Sequence, residues 1–332
     1  MPRYVTVVGS VNIDLVATVT ALPRPGETVS AVDYAQFLGG KGSNQAIAAA
    51  RLGSSVTFVG LVGEDAESSF VRESLAAESI DTSHVAHIPG VPTGRAMIMV
   101  DAAAENCIVI VAGANGRLDA THVRGAQAAI NFATVVVSQL ETPLDAVIEA
   151  ARLADGLFIL NPAPAPAQPL PDELLSLVDV LVVNEIEYEA VLGRPLPTDL
   201  PELLDELAAG ATLPYALIIT AGERGALVWD GSVLTEIPTP SVTAVDTTGA
   251  GDTFIGALAD SLSRGENLLT AAQWAVHAGS IAVGSLGATT GMPRAQAVQE
   301  SVALARARAP DYRELTRKEA GPPSKSTTSP QS

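Results

Sequence analysis

The sequence predicts an α/β protein: a mostly parallel central sheet with helices on both faces, plus a small four-stranded sheet set into it. Three observations carry this. From residue 120 onward, apolar strands at 134–137, 157–160, 180–183 and 216–220 alternate with helical stretches at 143–154, 185–192 and 200–210. Such alternation is the pattern of helical crossovers between parallel strands. Tyr4–Gly9 is a continuous β-branched run, as a strand buried on both faces requires. Finally, Ile13–Val19 with Val29–Phe37, and Thr93–Val100 with Asn106–Val111, are strand pairs with no helix between their members. They form a separate sheet from two insertions, about 13–38 and 93–112. Its apolar face must be hidden by a ligand, another subunit or both.

In chain order, the first strand ends in Gly9-Ser10-Val11-Asn12-Ile13-Asp14. That puts Asn12 and Asp14 at its carboxyl end, the edge that faces a ligand crevice in open α/β sheets. Pro23-Arg24-Pro25-Gly26 is a turn between the next two strands. Gly39-Gly40-Lys41-Gly42-Ser43-Asn44 then opens an Ala-rich helix over 44–52. This is not a Walker A loop: Gly42 separates Lys41 from Ser43, and residue 35 is Ala where that loop needs Gly. A strand at 56–62, a helix at 66–79 and a turn over Asp101–Glu105 follow. Further on, Asp230-Gly231 marks a hairpin between 226–229 and 233–237. Helices at 250–263, 267–283 and 294–308 close the core, so one domain spans 1–308. Residues 313–332 are too polar to pack and are expected to be a disordered tail.

Composition narrows the function classes. A 47% apolar and 17% charged chain of 332 residues can bury a sizeable core. A net charge of −18 argues against a nucleic-acid partner, because no basic stripe exists to neutralise phosphates. Cys107 is the only cysteine, which excludes an intrachain disulfide and suits a reducing compartment. The first 20 residues carry only Arg3 as positive charge and contain Asp14, unlike a secretory signal. No apolar run reaches membrane-spanning length. A cytoplasmic protein with no membrane partner is expected.

Asp246-Thr247-Thr248-Gly249-Ala250-Gly251-Asp252-Thr253-Phe254 organises the rest. A short apolar strand end (Val242, Ala244, Val245) runs in, and a helical pattern (Phe254, Ile255, Leu258, Leu262) runs out. The first turn of such a helix offers free N–H groups and the positive end of the macrodipole to an anion. Asp252 stands where a carboxylate reaches whatever that anion reacts with, as a general base in phosphoryl transfer does. Read alone, it equally suits an ordinary helix cap. Asn12, Asp14, Glu141, Asn184, Glu187, Thr220, Gly222, Asp246 and Asp252 all follow apolar strands. So many polar strand ends on one rim are what a crevice needs. A dinucleotide oxidoreductase is disfavoured, because Gly9-Ser10-Val11-Asn12 lacks the G-x-G-x-x-G fingerprint.

These residues resemble the PfkB family of carbohydrate kinases across 3–308, and its ribokinase branch in particular. One family signature is Gly39-Gly40-Lys41-Gly42-Ser43-Asn44-Gln45-Ala46 with Gly53 and Gly63 downstream; the other is Asp246 through Asp252 to Gly256. Gly9–Asp14, Pro23–Thr28, Gln139-Leu140-Glu141 and Asn161-Pro162-Ala163-Pro164-Ala165 resemble the ribokinases. The resemblance implies a three-layer fold whose small sheet is a lid over the sugar and pairs with a second subunit's lid. It implies that Asp252 takes the proton from a sugar's primary hydroxyl. The N–H groups of Gly249, Ala250 and Gly251 would stabilise the transferring γ-phosphoryl group of ATP. Asn12, Asp14, Gly40, Lys41, Asn44 and Glu141 would hold ribose. Asn184 and Glu187 would position Mg²⁺ through water. Thr220, Gly222 and Gly225 would line the nucleotide with Asn184 and Gly251.

By the same resemblance, Asp246, Thr248, Ala282, Ser285, Gly287 and Gly291 match a monovalent-cation site, for K⁺. There Gly291 departs from the pattern by lacking a side-chain oxygen. His277 falls near the adenine contact, and equally suits packing among Ala275, Ala278 and Ile281. ATP-dependent phosphorylation of D-ribose at O5 is thus expected. The rivals are a kinase for deoxyribose, another pentose or a nucleoside, and a catalytically silent sugar-binding protein. The intact Gly-Ala-Gly-Asp segment argues against the last.

Overall fold

Strands made of Val, Ile and Leu on both faces can only be sheltered between two helical layers, and that is the architecture of the computed structural model of the chain. It describes residues 3–103, 105–209, 216–306 and 312–316. The first part comprises β1 (Tyr4–Val8), β2 (Asn12–Thr18), β3 (Asp33–Gly39), α1 (Lys41–Arg51), β4 (Ser55–Gly63), α2 (Glu67–Ala77) and β5 (Asp81–Ile88). After β6 (Gly94–Val100) and β7 (Asn106–Val111) come α3 (Ala120–Gly125), α4 (Gln127–Phe132), β8 (Val135–Gln139), α5 (Leu144–Leu153) and β9 (Leu157–Asn161). The alternation continues through α6 (Asp172–Leu177), β10 (Val180–Asn184), α7 (Glu185–Leu192), α8 (Leu200–Ala209) and β11 (Ala216–Thr220). Last are β12 (Ala226–Trp229), β13 (Leu234–Ile237), α9 (Ala250–Ser263), α10 (Leu268–Ala282), α11 (Ala295–Arg306) and β14 (Arg313–Leu315).

The main sheet has ten strands in the order β14-β13-β12-β11-β10-β9-β8-β1-β4-β5. Pairing is parallel from β5 to β11 and antiparallel through β12, β13 and β14. One buried cluster lies between the sheet and α1, α2, α9, α10 and α11, and holds Val5, Val7, Ile47, Leu258 and Ala275. The other, on the opposite face, joins Val8, Val136 and Leu160 to Ile130, Val147, Leu174 and Leu203. Each fully buried Val or Leu contributes about 1.5–3 kcal/mol, so the alternate faces of each strand hold both helical layers in place.

The second sheet has the order β3-β2-β6-β7. The two expected antiparallel pairs are present, joined through a parallel β2–β6 pairing from Asn12↔Gly94 to Thr18↔Val100. Two ties, one buried and one partly buried, root it in the body. Asn115 exchanges hydrogen bonds with the Val11 backbone, and its Nδ2 donates to Asn12 Oδ1 at 2.8 Å. Thr93 donates to Asp65 from its N–H at 2.7 Å and its hydroxyl at 2.6 Å.

Several expectations are corrected. The segment with Val242, Ala244 and Val245 is a loop, not a strand end, with Val242 and Val245 exposed. After Pro238 and Pro240 the chain leaves the sheet, and the N–H groups of Val245 and Asp246 donate to Val283 O at the end of α10. Strand β5 was not anticipated, because Asp81, Thr82, Ser83 and His84 disguise it; its ladder to β4 is irregular there. Helices α3, α4 and α6 are short and were not anticipated either. The expected tail begins too early, since Arg313–Leu315 pairs with β13; 317–332 lie outside the described residues.

Candidate active site

Helix α9 begins where it does because Gly249 takes φ 76°, a left-handed turn, and a Cβ there would lie 2.3 Å from Ala288 O. The helix then crosses α1 at close range: a Cβ on Gly256 would meet Ala48 Cβ at 2.5 Å and Gln45 O at 2.6 Å. That approach brings the start of α1 against Asp252. Asn44 Nδ2 donates to Asp252 Oδ2 at 2.9 Å, and Gln45 Nε2 donates to Oδ1 at 3.0 Å. Asp252 is only 8% exposed. Burial pushes its carboxyl pKa up, Lys41 and the two amides oppose this, and Glu141 adds to the rise. Asp252 is therefore no plain helix cap: its carboxylate is tied to another helix.

The first turn of α9 is open on its outer side. Gly251 is exposed, and a Cβ there would touch nothing within 4 Å. Ala250 N–H donates to Thr247 O at 3.2 Å, closing the turn. Among the described residues, the N–H groups of Gly249 and Gly251 have no protein partner. Of the three expected anion-hole donors, these two remain free.

On the other side of Asp252, residues from three elements converge. Lys41 N donates to Glu141 Oε2 at 2.9 Å, and Ser10 Oγ donates to the same oxygen at 2.5 Å. Gly40 caps α1 behind Lys41. Asp14 lies within β2, in the small sheet, where the strand expected over Ile13–Val19 puts it. Its carboxyl pKa is raised to about 6, mainly by burial and then by repulsion from Glu141 and Asp252. Asn12 begins β2, with its carbonyl oxygen used by Asn115. Carboxylates accept from hydroxyl groups, while amides both donate and accept.

Next along the rim, Asn184 and Glu187 form a capping box on α7. Glu187 N–H donates to Asn184 Oδ1 at 2.8 Å, while Asn184 N and Nδ2 donate to the Glu187 carboxylate at 2.9 and 3.0 Å. Burial raises the Glu187 pKa, with Asn184 and Lys41 opposing and Asp252 adding to the rise. Thr220 ends β11 and donates to Val183 O at 3.3 Å, and Gly222 and Gly225 flank the turn that follows. His277 is buried, and its Nδ1 lies 2.8 Å from Ser301 Oγ across the seam between α10 and α11.

The loop before α9 and the loop after α10 are tied together. Asp246 Oδ1 accepts from Thr248 N at 2.9 Å and Oδ2 from Gly287 N at 2.8 Å. Burial acts upward on the Asp246 pKa, but hydrogen bonds from Thr248 and Gly287 outweigh it and hold the group low. A Cβ on Gly291 would lie 2.2 Å from Ala282 O, so glycine lets this loop fold back on the helix end. Asp246, Thr248, Ala282, Gly287 and Gly291 thus share one neighbourhood; no described contact fixes Ser285 within it.

The residues given no role from the sequence are Ser10, Gln45, Asn115, Gln139 and Asn161. Ser10, Gln45 and Gln139 are 0% exposed. Gln139 Nε2 donates to Gln45 Oε1 at 2.6 Å, and Gln45 Nε2 to Asn161 Oδ1 at 3.2 Å. The available signal was a polar residue ending each of the apolar strands β8 and β9. A separate cavity of about 420 Å³, with Arg3, Arg264, Trp274 and Arg306 in its wall, lies by the far end of α9. It is no part of this cluster.

A parallel sheet with polar residues gathered at its rim, and an open helix N-terminus beside a buried carboxylate, is an arrangement that suits phosphoryl transfer. The pfkB family carbohydrate kinase model matches residues 2–295, and the chain belongs to that family. It is a sugar kinase. Ribokinase of Haemophilus influenzae is 38% identical over 310 residues, covering 90% of this chain and 98% of that protein. Among solved structures, ribokinase of Thermotoga maritima superposes with a TM-score of 0.83 at 32% identity, covering 91% and 99% of the two chains. Arabidopsis thaliana ribokinase, complexed with ribose and ATP, does so with a TM-score of 0.84 at 30% identity, covering 91% and 99%.

Proposed function

We propose that the protein phosphorylates D-ribose at O5 with ATP, by direct in-line transfer. The observation that carries this is the paired hold on Asp252, a buried carboxylate kept as a hydrogen-bond acceptor at the mouth of an open helix N-terminus. Asp252 takes the proton from the O5 hydroxyl as that oxygen attacks the γ-phosphorus. The free N–H groups of Gly249 and Gly251 face the charge that develops on the transferring group, and the α9 macrodipole reinforces them. Asp14 and Glu141 accept from the ring hydroxyls, while Lys41, Asn12 and Asn44 complete the sugar contacts with Gly40 at the turn. Thr220, Gly222, Gly225 and Asn184 receive the nucleotide.

Glu187 fits an outer-sphere role toward Mg²⁺: Asn184 holds both of its oxygens, and Oε1 keeps a lone pair for a metal-bound water. Bound Mg²⁺ neutralises phosphate charge. The Asp246 loop fits K⁺ similarly, since its carboxylate and the Ala282 carbonyl are hard oxygen donors held close by Gly287 and Gly291. The small sheet closes over the sugar as a lid and excludes water. In the cytoplasm, two copies pair through their lids.

An ATP-consumption assay over pentoses, hexoses and nucleosides tests the reading. Ribose should give the highest kcat/KM, with the phosphate on O5 by phosphorus NMR. Preference for deoxyribose or a nucleoside would replace the substrate, and no sugar-dependent consumption would overturn the assignment.

A further inference from the structure

The polarity of a buried amide chain is set by whichever end cannot be reversed. Val182 O only accepts. Asn161 Nδ2 lies 3.1 Å from it and 3.5 Å from Glu187 Oε2, so the Asn161 amide must turn its NH₂ to these oxygens and its carbonyl to Gln45. Gln45 Nε2 then spends one proton on Asn161 Oδ1 at 3.2 Å and the other on Asp252 Oδ1 at 3.0 Å. Its own carbonyl accepts from Gln139 at 2.6 Å, so every polar group of Gln45 is used. Flipping Gln45 would set its oxygen against both Asn161 Oδ1 and Asp252 Oδ1 in a buried interior, whereas Gln139, whose Oε1 has no partner, could turn either way. Asn44 also donates to Asp252, but its Oδ1 is buried without a partner, so nothing behind it fixes its direction.

We propose that Gln45, oriented through Asn161, is the positioning residue that holds Asp252 with Oδ1 as an obligatory acceptor, favouring the charged carboxylate and fixing its aim at the sugar. This rests on Asp252 being the base. The charged groups facing Asp252 are Lys41 of α1, Glu141 after β8, Asp14 of β2 and Glu187 of α7. Replacing Gln45 by an apolar residue leaves all four in place and removes a donor that favours the charged carboxylate.

The test uses Gln45→Met, which keeps the length and loses the donor, and Asn161→Leu, which never touches Asp252. Two readouts are taken: the pH dependence of kcat/KM for ribose, and the ¹³C chemical-shift titration of the Asp252 carboxyl in sugar-free enzyme. Both variants should move the acidic limb and the carboxyl titration upward, by about half a unit or more, with KM for ATP within about twofold. At pH below that limb, kcat/KM should fall roughly in proportion. If Gln45→Met does not fold, Asn161→Leu alone decides. Unmoved titrations in the folded variants, with rates lowered only as far as melting is lowered, would overturn the positioning role. Should Asp252→Asn keep its turnover, the base assignment fails instead, whatever the titrations show.

Discussion

Asp14 is half-buried, and its carboxyl pKa is raised to about 6, first by burial and then by repulsion from Glu141 and Asp252. Its folded value lies above its unfolded one, so the folded state holds this proton more tightly. Its contribution to stability is therefore present at low pH and declines as pH rises from about 4 through 6. Asp14→Asn should accordingly stabilise the sugar-free protein at pH 8 by about 1–2 kcal/mol and weaken ribose binding. Calorimetric melting at pH 8 and pH 4.5 checks it: a gain that does not shrink at the lower pH contradicts the repulsion. Asp14, Glu141 and Asp252 were legible in the sequence because each breaks an apolar run near a strand end or helix start. Gln45, Gln139 and Asn161 were not assigned. An amide in a strand or helix has no chemistry of its own until distant positions converge on it, as residues 45, 139 and 161 do here.

The decisive elements are α9 and the two loops that frame it. Gly249→Ala places a Cβ 2.3 Å from Ala288 O in a left-handed backbone. It should cost about 1–3 kcal/mol of stability and lower kcat far more than KM for ribose, since the free N–H groups move with the turn. Thermal melting with steady-state kinetics measures both, and unaltered kcat would remove the turn from the anion site. The same loops hold the proposed cation. Replacing K⁺ by tetramethylammonium at constant ionic strength should lower kcat, whereas equal rates would remove K⁺ from the loop. Elements such as α9 and β11 were legible because nearly every position is buried, which demands a run of small or apolar residues. Strand β5 was not, since its exposed edge tolerates Asp81 and Ser83. The stretch before Asp246 misled for the opposite reason: Val242 and Val245 are apolar but exposed.

At the scale of the whole molecule, the small sheet is the part left unfinished. Tyr34, Phe37, Met97 and Ile108–Val111 are exposed on it, and β7 is an edge strand with every residue open to solvent. An apolar edge is a template for another chain, which is the ground for the proposed pairing of two copies. Light scattering at micromolar concentration should give a dimer, and Ile110→Glu should give a monomer; a wild-type monomer would refute lid pairing. The sheet's existence was legible from strands without intervening helices. Its rooting was not, because Asn115 and Asp65 act across chain separations that no local pattern records.

The central claim is that Asp252 activates the sugar hydroxyl, and it is tested most directly by Asp252→Asn, measuring ribose binding by titration calorimetry beside ribose-dependent ATP consumption. The amide keeps the volume and loses the base. Binding should stay within about threefold while turnover falls by about 10²–10⁴-fold. Turnover within tenfold of the unaltered protein, with ribose still bound, would show that another group takes the proton.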